Sequence, residues 1–241
     1  MRETAALARR YGVRLHTHLA ETEDENEFCL NQLGRRPLEV MEDCDFVGPD
    51  VWFAHGIHFN DGELDRLAET GCGIAHCPTS NMRLGSGVCR VPEMNDRGIT
   101  VGLAVDGSAS NDSSDMLGEL RNALLLQRVA RGADALGARD VLRMATENGA
   151  DLLGVNGVGT LSVGRGADLA LFDVHKMEYA GALSDPLAAL VFSGYNHGAD
   201  YTIVNGHVTV ENDRLVGVDE ERLFEQANAA AWRLYEKAGV I

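Results

Sequence analysis

The residues best able to do chemistry stand at the ends of short apolar runs. His16-Thr17-His18-Leu19-Ala20-Glu21 closes one run and His55 closes Val51-Trp52-Phe53-Ala54. His76 follows Gly73-Ile74-Ala75, and Asp106 follows Thr100-Val101-Gly102-Leu103-Ala104-Val105. One histidine at a strand end is ordinarily a hydrogen-bonded structural residue. Successive strands ending in histidine, then one ending in aspartate, carry more content, because imidazoles with a carboxylate suit Zn²⁺ or a similar divalent ion. The carboxylate can also take a proton from a water that the ion makes acidic. Along a strand side chains alternate, so His16 and His18 share one face and Thr17 takes the other.

These residues need a scaffold that brings strand ends together. Residues 2–11 read as a helix and Val13 to Leu19 as a short buried strand. Thr22 to Glu25 fits a capping box, with Thr22 as N-cap and Glu25 reaching back, so a helix should follow. Val51 to Ala54 is a second strand. Asn60 with Glu63 repeats the capping pattern ahead of Leu64 and Leu67. Gly73 to Ala75 is a third strand, Pro92 to Asp96 a short helix, and Thr100 to Val105 a fourth strand. Met116, Leu117, Leu120, Leu124 and Val129 give a helical apolar face over 114–131. A second long helix is expected over 138–153, stopping at Gly154. Strands alternating with helices mean a parallel sheet with crossover helices, here half of an eight-stranded α/β barrel. In such barrels the C-terminal strand ends share one mouth, where the chemistry lies.

After Gly154 the texture changes. Asn156-Gly157 and Gly164-Arg165-Gly166 are turn signals, and Ala167 to Phe172 reads as a strand. Tyr201 to Val204, Asn205-Gly206, then His207 to Val210 predicts a hairpin, since Asn-Gly suits a type I′ turn. Residues 219–238 form an amphipathic helix. The domain division falls at 155/156: residues 1–155 as the catalytic half-barrel and 156–241 as a β module with a closing helix.

The bulk numbers narrow the partners. A net charge of −16 repels nucleic-acid backbones and anionic membranes, though not a neutral heterocycle. No apolar run reaches the roughly 18 residues that span a bilayer, and Met1 to Ala5 lacks the apolar core of a signal peptide. Cys29, Cys44, Cys72, Cys77 and Cys89 are odd in number and form no C-x-x-C pair, so a reducing cytoplasm is expected. The cytidine-deaminase zinc pattern, H-x-E with P-C-x-x-C, is absent. Gly107 to Asn111 could cradle phosphate elsewhere, but no P-loop precedes it.

His18-Leu19-Ala20-Glu21, Ala54-His55-Gly56-Ile57-His58, Pro78 to Gly87 and Asp106-Gly107-Ser108-Ala109-Ser110-Asn111, in this order, resemble the amidohydrolase superfamily, in its chlorohydrolase and guanine-deaminase-like branch. Gly159 to Asp168 is similar to the segment that re-enters that family's β-sandwich. The resemblance implies the C-terminal half of a metal-dependent (β/α)8 TIM-type barrel plus part of a small β-sandwich. It implies one divalent ion, zinc with iron as the alternative. His18 and Asp106 would be ligands, and Asp106 also the general base. His55 would polarise the attacking water or stabilise the oxyanion. Glu21 would hydrogen-bond a ring nitrogen and shuttle a proton to it. His76, Asn81 and Arg83 would line the substrate pocket. Glu21 has a plainer alternative as one more acid before a helix, and Arg83 as a surface charge. His16 and His58 read as structural neighbours, and His175, His197 and His207 as surface residues of the β module.

The reaction so implied is hydrolytic removal of an exocyclic amine from a purine-like heterocycle, with 8-oxoguanine going to urate and ammonia. Amine removal or dechlorination on a triazine is the enzymatic alternative, and a non-catalytic remnant acting as a binding module is the alternative of another class. Homo-oligomer formation stays open. The family's His-x-His pair on its first barrel strand has no counterpart here, because Leu19-Ala20-Glu21 after His16-Thr17-His18 marks a later strand. The sequence therefore reads as part of a longer protein. Alone, a half-barrel with open edges is expected to fold poorly and to be inactive.

Overall fold

The structure is a computed structural model describing residues 1–193 and 198–240. His197 lies outside the described residues. The described residues form two compact units, one of residues 1–165 with 177–193, the other of 166–176 with 198–240.

The first unit starts with α1 (Arg2–Tyr11), β1 (Leu15–Leu19), α2 (Glu23–Leu33), α3 (Pro37–Asp43), β2 (Val51–His55), α4 (Asp61–Thr70) and β3 (Gly73–His76). It continues with α5 (Pro78–Leu84), α6 (Val91–Asp96), β4 (Val101–Leu103), α7 (Met116–Arg131), α8 (Ala138–Ala145), α9 (Glu147–Leu153) and, after the first strand of the other unit, Pro186–Phe192. The four strands pair in parallel in the order β1-β2-β3-β4. This is the alternating α/β pattern read from the sequence. The register sets His18 beside Ala54 and Ala54 beside Ala75. Leu15, Leu19, Val51, Phe53, Ile74, Val101 and Leu103 are buried and share the core with Leu64 and Leu67 of α4 and with Leu120 and Leu124 of α7. Each fully buried side chain of this size stabilises by roughly 1.5–3 kcal/mol.

Local signals hold where they are self-contained. The Asn60 side chain accepts from Glu63 N at 2.9 Å, and Glu63 accepts from Asn60 N at 2.8 Å, so the expected box starts α4. The box expected at Thr22 does not form. Thr22 makes no side-chain cap, and the Glu25 carboxylate accepts instead from Glu21 N at 3.1 Å, which ties the end of the β1 loop to α2.

The helix expected over 138–153 is broken at Thr146 (φ −123°, ψ −88°). The break turns α9 onto the sheet, where Asn148 Nδ2 donates to Val101 O at 2.8 Å and Leu152 is buried. Leu152 takes the space that side chains on β3 and β4 would need. A Cβ on Gly73 would stand 2.1 Å from it and one on Gly102 2.6 Å, so these strands need glycine there. Three short helices, α3, α5 and 186–192, were not anticipated. Each has proline in its first turn, where a missing N–H costs nothing.

The second unit carries an antiparallel sheet of β5 (Leu169–Leu171), β6 (Tyr201–Val204), β7 (His207–Glu211) and β8 (Arg214–Leu215), in that order. The expected β6–β7 hairpin is present, with φ 48° at Asn205 and 81° at Gly206 as a type I′ turn requires. A last helix, Glu220–Ala238, is capped by Asp219, whose Oδ1 accepts from Arg222 N at 3.0 Å.

Candidate metal and catalytic site

The C-terminal ends of β1, β2 and β4 bring three metal-capable side chains together. One ligand atom each from His18, His55 and Asp106 lies within 4.8 Å of the others. His18 stands on the open face of the sheet, 58% exposed, with Nε2 3.7 Å from Asp106 Oδ1. Strict alternation would send His55 with Leu19 to the helix-covered face. His55 instead takes a left-handed backbone (φ 73°) at the last position of β2, and its Nε2 reaches 3.5 Å from Glu21 Oε2 and 4.0 Å from Asp106 Oδ2. Asp106 is also left-handed (φ 65°). Non-glycine residues held at positive φ are uncommon and cluster where a site needs a side chain aimed off the regular path.

The surroundings divide the labour of each group. Ser80 Oγ and Ser110 Oγ both donate to Asp106 Oδ2, which leaves Oδ1 facing His18. Burial alone would raise the Asp106 pKa. The Ser80 hydroxyl, the Gly107 N–H and the Ser110 hydroxyl outweigh it and hold the carboxyl below its ordinary value. Burial pushes the His55 imidazole down, and the Glu21 and Asp106 carboxylates offset only part of that. Asn81 Nδ2 lies 2.8 Å from His55 Nδ1. With the amide so oriented, Nδ1 accepts and the proton of the neutral ring sits on Nε2, aimed between the two carboxylates. That buried Nε2 has no hydrogen-bond partner among the described residues. An orphaned imidazole nitrogen beside a second imidazole and a carboxylate fits a bound cation with its water.

Glu21 is three-quarters buried, and Ser86 Oγ stands 3.5 Å from its Oε1. Ser86 also takes His58 Nε2 on its carbonyl at 2.8 Å, while His58 Nδ1 faces Glu23 at 3.1 Å, so His58 braces the loop over Glu21. His16 stacks on Trp52, centroids 3.7 Å apart, below His18 on the open face. His76 is fully buried on the Ile74 side of β3, neither ring nitrogen has a partner among the described residues, and burial pushes its pKa down to about 3. Arg83 is half exposed and pairs with Asp112. The structure thus brings His18, Glu21, His55, Asn81 and Asp106 together, sets His76 behind them and leaves Arg83 at the rim. The sequence reading gave no role to Ser80 and Ser110, although both lie inside motifs it singled out.

A parallel α/β sheet with imidazole and carboxylate groups gathered at its C-terminal strand ends is the arrangement of a metal-dependent hydrolase. Residues 1–209 match the amidohydrolase family, and the chain belongs to it. It is 46% identical over 231 residues to 8-oxoguanine deaminase of Pseudomonas aeruginosa, covering 96% of this chain and 51% of that protein. It is 42% identical to hydroxydechloroatrazine ethylaminohydrolase of Pseudomonas sp., over 96% of this chain and 48% of that one. Among solved structures, the zinc complex of atrazine chlorohydrolase TrzN from Arthrobacter aurescens superposes with a TM-score of 0.89 at 37% identity, over 93% of this chain and 50% of that one. An adenosine deaminase from Xanthomonas campestris with bound zinc gives 0.92 at 30% identity, over 98% and 54%. The chain spans about half the length of the relatives it matches.

Proposed function

We propose that this chain is the C-terminal part of a metal-dependent aminohydrolase that removes the exocyclic amine of a purine-like heterocycle, turning 8-oxoguanine and water into urate and ammonia. The observation that carries the reading is the meeting of His18, His55 and Asp106 with Glu21 beside them. His18 and Asp106 would hold the cation, zinc with iron as the alternative. The bound ion supplies Lewis-acid activation of water near neutral pH. Asp106 Oδ1 takes the water's proton. His55, donating from Nε2, steadies the oxygen that adds to the ring carbon. Glu21 gives a proton to the adjacent ring nitrogen, Asp106 passes the water's proton on to the amine, which leaves as ammonia, and the proton of the added hydroxyl returns to Glu21. Asn81 keeps His55 turned, His76 and Asn81 back the site from behind rather than lining it, and Arg83 stands at its rim. The catalytic portion is the first unit, which runs past the expected boundary at 155 to residue 165 and takes in 177–193, and residues 166–176 with 198–240 belong to the family's β-sandwich with its closing helix. Unpaired cysteines throughout support a cytoplasmic setting.

The 46% identity to an 8-oxoguanine deaminase supports the purine substrate. The 42% identity to a triazine ethylaminohydrolase favours one second reading, amine removal or dechlorination on a triazine at the same site. Zinc-loaded full-length protein tested on 8-oxoguanine, guanine, isocytosine and hydroxyatrazine separates them. The highest kcat/KM is expected on 8-oxoguanine. Preference for hydroxyatrazine moves the assignment to the second reading, and turnover of none overturns both.

A further inference from the structure

Two segments carry the groups that aim the site. The first turn of α5 supplies Ser80, which donates to Asp106, and Asn81, which holds His55. The loop after β4 supplies Asp106 itself and Ser110. Neither segment is secured by strand pairing, since β3 and β4 end just before them. Both are gripped from behind by one side chain. Glu119, in the first turn of α7, is 1% exposed. Its Oε2 accepts from Thr79 N at 3.2 Å, and its Oε1 accepts from Asn111 Nδ2 at 2.8 Å. The same Asn111 amide donates to Val105 O at 2.8 Å, the carbonyl immediately before the left-handed Asp106. One turn further along α7, Asn122 Nδ2 donates to Thr79 Oγ1 at 2.7 Å and doubles the grip on α5.

A buried carboxylate is costly to keep, and less so when donors surround the ionised form. Burial raises the Glu119 pKa, and the Thr79 and Asn111 donors oppose it. A leucine would fill the same helix face without that cost. The carboxylate does what an apolar side chain cannot: it fixes two backbone segments at once through directional bonds, one of them the hinge of Asp106.

We infer that Glu119 is a positioning residue, a buried strut that joins Thr79 and Asn111 and so fixes Ser80, Asn81 and Asp106 relative to one another. The inference rests on the proposed role of Asp106 as metal ligand and base. Its structural half, the strut itself, stands on the hydrogen bonds alone.

The experiment compares full-length protein with Glu119→Gln and, as control, Gln127→Ala. Glutamine keeps one acceptor and turns an NH₂ toward the other donor, so one of the two segments must let go. Gln127 is equally buried on α7 but bonds Cys89 O at 2.9 Å, and its loss reports general damage to the helix. Amide hydrogen exchange should rise roughly 5–30-fold over 79–82 and 105–111 in Glu119→Gln, with β1 and β2 unchanged. Co²⁺ alone serves as the probe of the site. Its affinity should fall about 10–100-fold in Glu119→Gln, with a changed visible spectrum, and neither should change in Gln127→Ala. Unaltered exchange in both segments, or the same pattern in Gln127→Ala, overturns the strut. Faster exchange with an unchanged cobalt spectrum and affinity overturns the positioning role. A wild-type protein that takes up no cobalt overturns the metal reading, and exchange then decides the strut on its own.

Discussion

His18 Nε2 lies 3.7 Å from Oδ1 of Asp106, while Oδ2 of that carboxylate is occupied by the hydroxyls of Ser80 and Ser110. One oxygen is anchored and the other is free to face a cation. Asp106→Asn should therefore lower kcat by about 10²–10⁴-fold, the range for losing a general base, and also lose zinc. Ser80→Ala should weaken zinc by about 10–100-fold and leave the base in place. Metal analysis and steady-state kinetics on the two variants check the split. Full zinc occupancy in Asp106→Asn would remove it from the ligand set.

The contact between Asn81 and His55 fixes which nitrogen carries the ring proton. With Nδ1 accepting from the amide, Nε2 is a donor and, in the proposed reaction, would serve the developing oxyanion rather than the cation. Asn81→Leu lets the ring change tautomer and should lower kcat about 10²–10³-fold, as when an oxyanion donor is lost, with a smaller effect on KM. Nitrogen chemical shifts of the His55 ring read the tautomer directly. An Nδ1-protonated ring in the unaltered protein would refute the assignment.

Much of this site could be read in the sequence because strand ends are punctuation. An apolar run followed by histidine or aspartate marks both the element and its mouth, which is why His18, His55 and Asp106 were legible. The Asn60–Glu63 box and the Asn205-Gly206 turn are local too, with cause and effect a few residues apart. What could not be read depends on distant partners. Glu119 looks like any helix glutamate until Thr79 and Asn111 arrive beside it. Thr146 breaks a helix that the apolar pattern continues, because Leu152 has a place to fill on Gly73 and Gly102. Glu25 was expected to cap Thr22 and bonds Glu21 N instead, just after the left-handed Ala20 (φ 53°).

His76 gives a pH dependence of stability with a definite sign. Its folded pKa is pushed from the ordinary 6.5 down to about 3, so the unfolded chain binds the extra proton between those values. Stability should be unaffected above pH 6.5 and fall steadily on acidification. The His76 share of the loss between pH 7 and pH 4.5 is about 2–3 kcal/mol. Urea unfolding of the full-length protein at both pH values, with His76→Leu as reference, isolates it. A variant as acid-sensitive as the parent would assign the loss to other groups.

The last expectation concerns the sheet edges. Among the described residues β1 and β4 each pair on one side only, and the face that carries His16 and His18 is exposed at His18, while Leu152 of α9 covers its Gly73 and Gly102 end. Unpaired parallel edges and a partly uncovered sheet face invite wrong partners and leave the metal group with few ligands. Expressed by itself, this 241-residue stretch should bind the dye ANS, melt without a sharp transition and show no turnover. Co-expression with the half of the Pseudomonas aeruginosa 8-oxoguanine deaminase that this chain does not cover should bury the open edges and restore zinc binding, because closing an eight-stranded α/β barrel would add strands at both edges. A cooperative melt with full deaminase turnover from the stretch alone would show that the open sheet is sufficient and that the missing-strand argument fails.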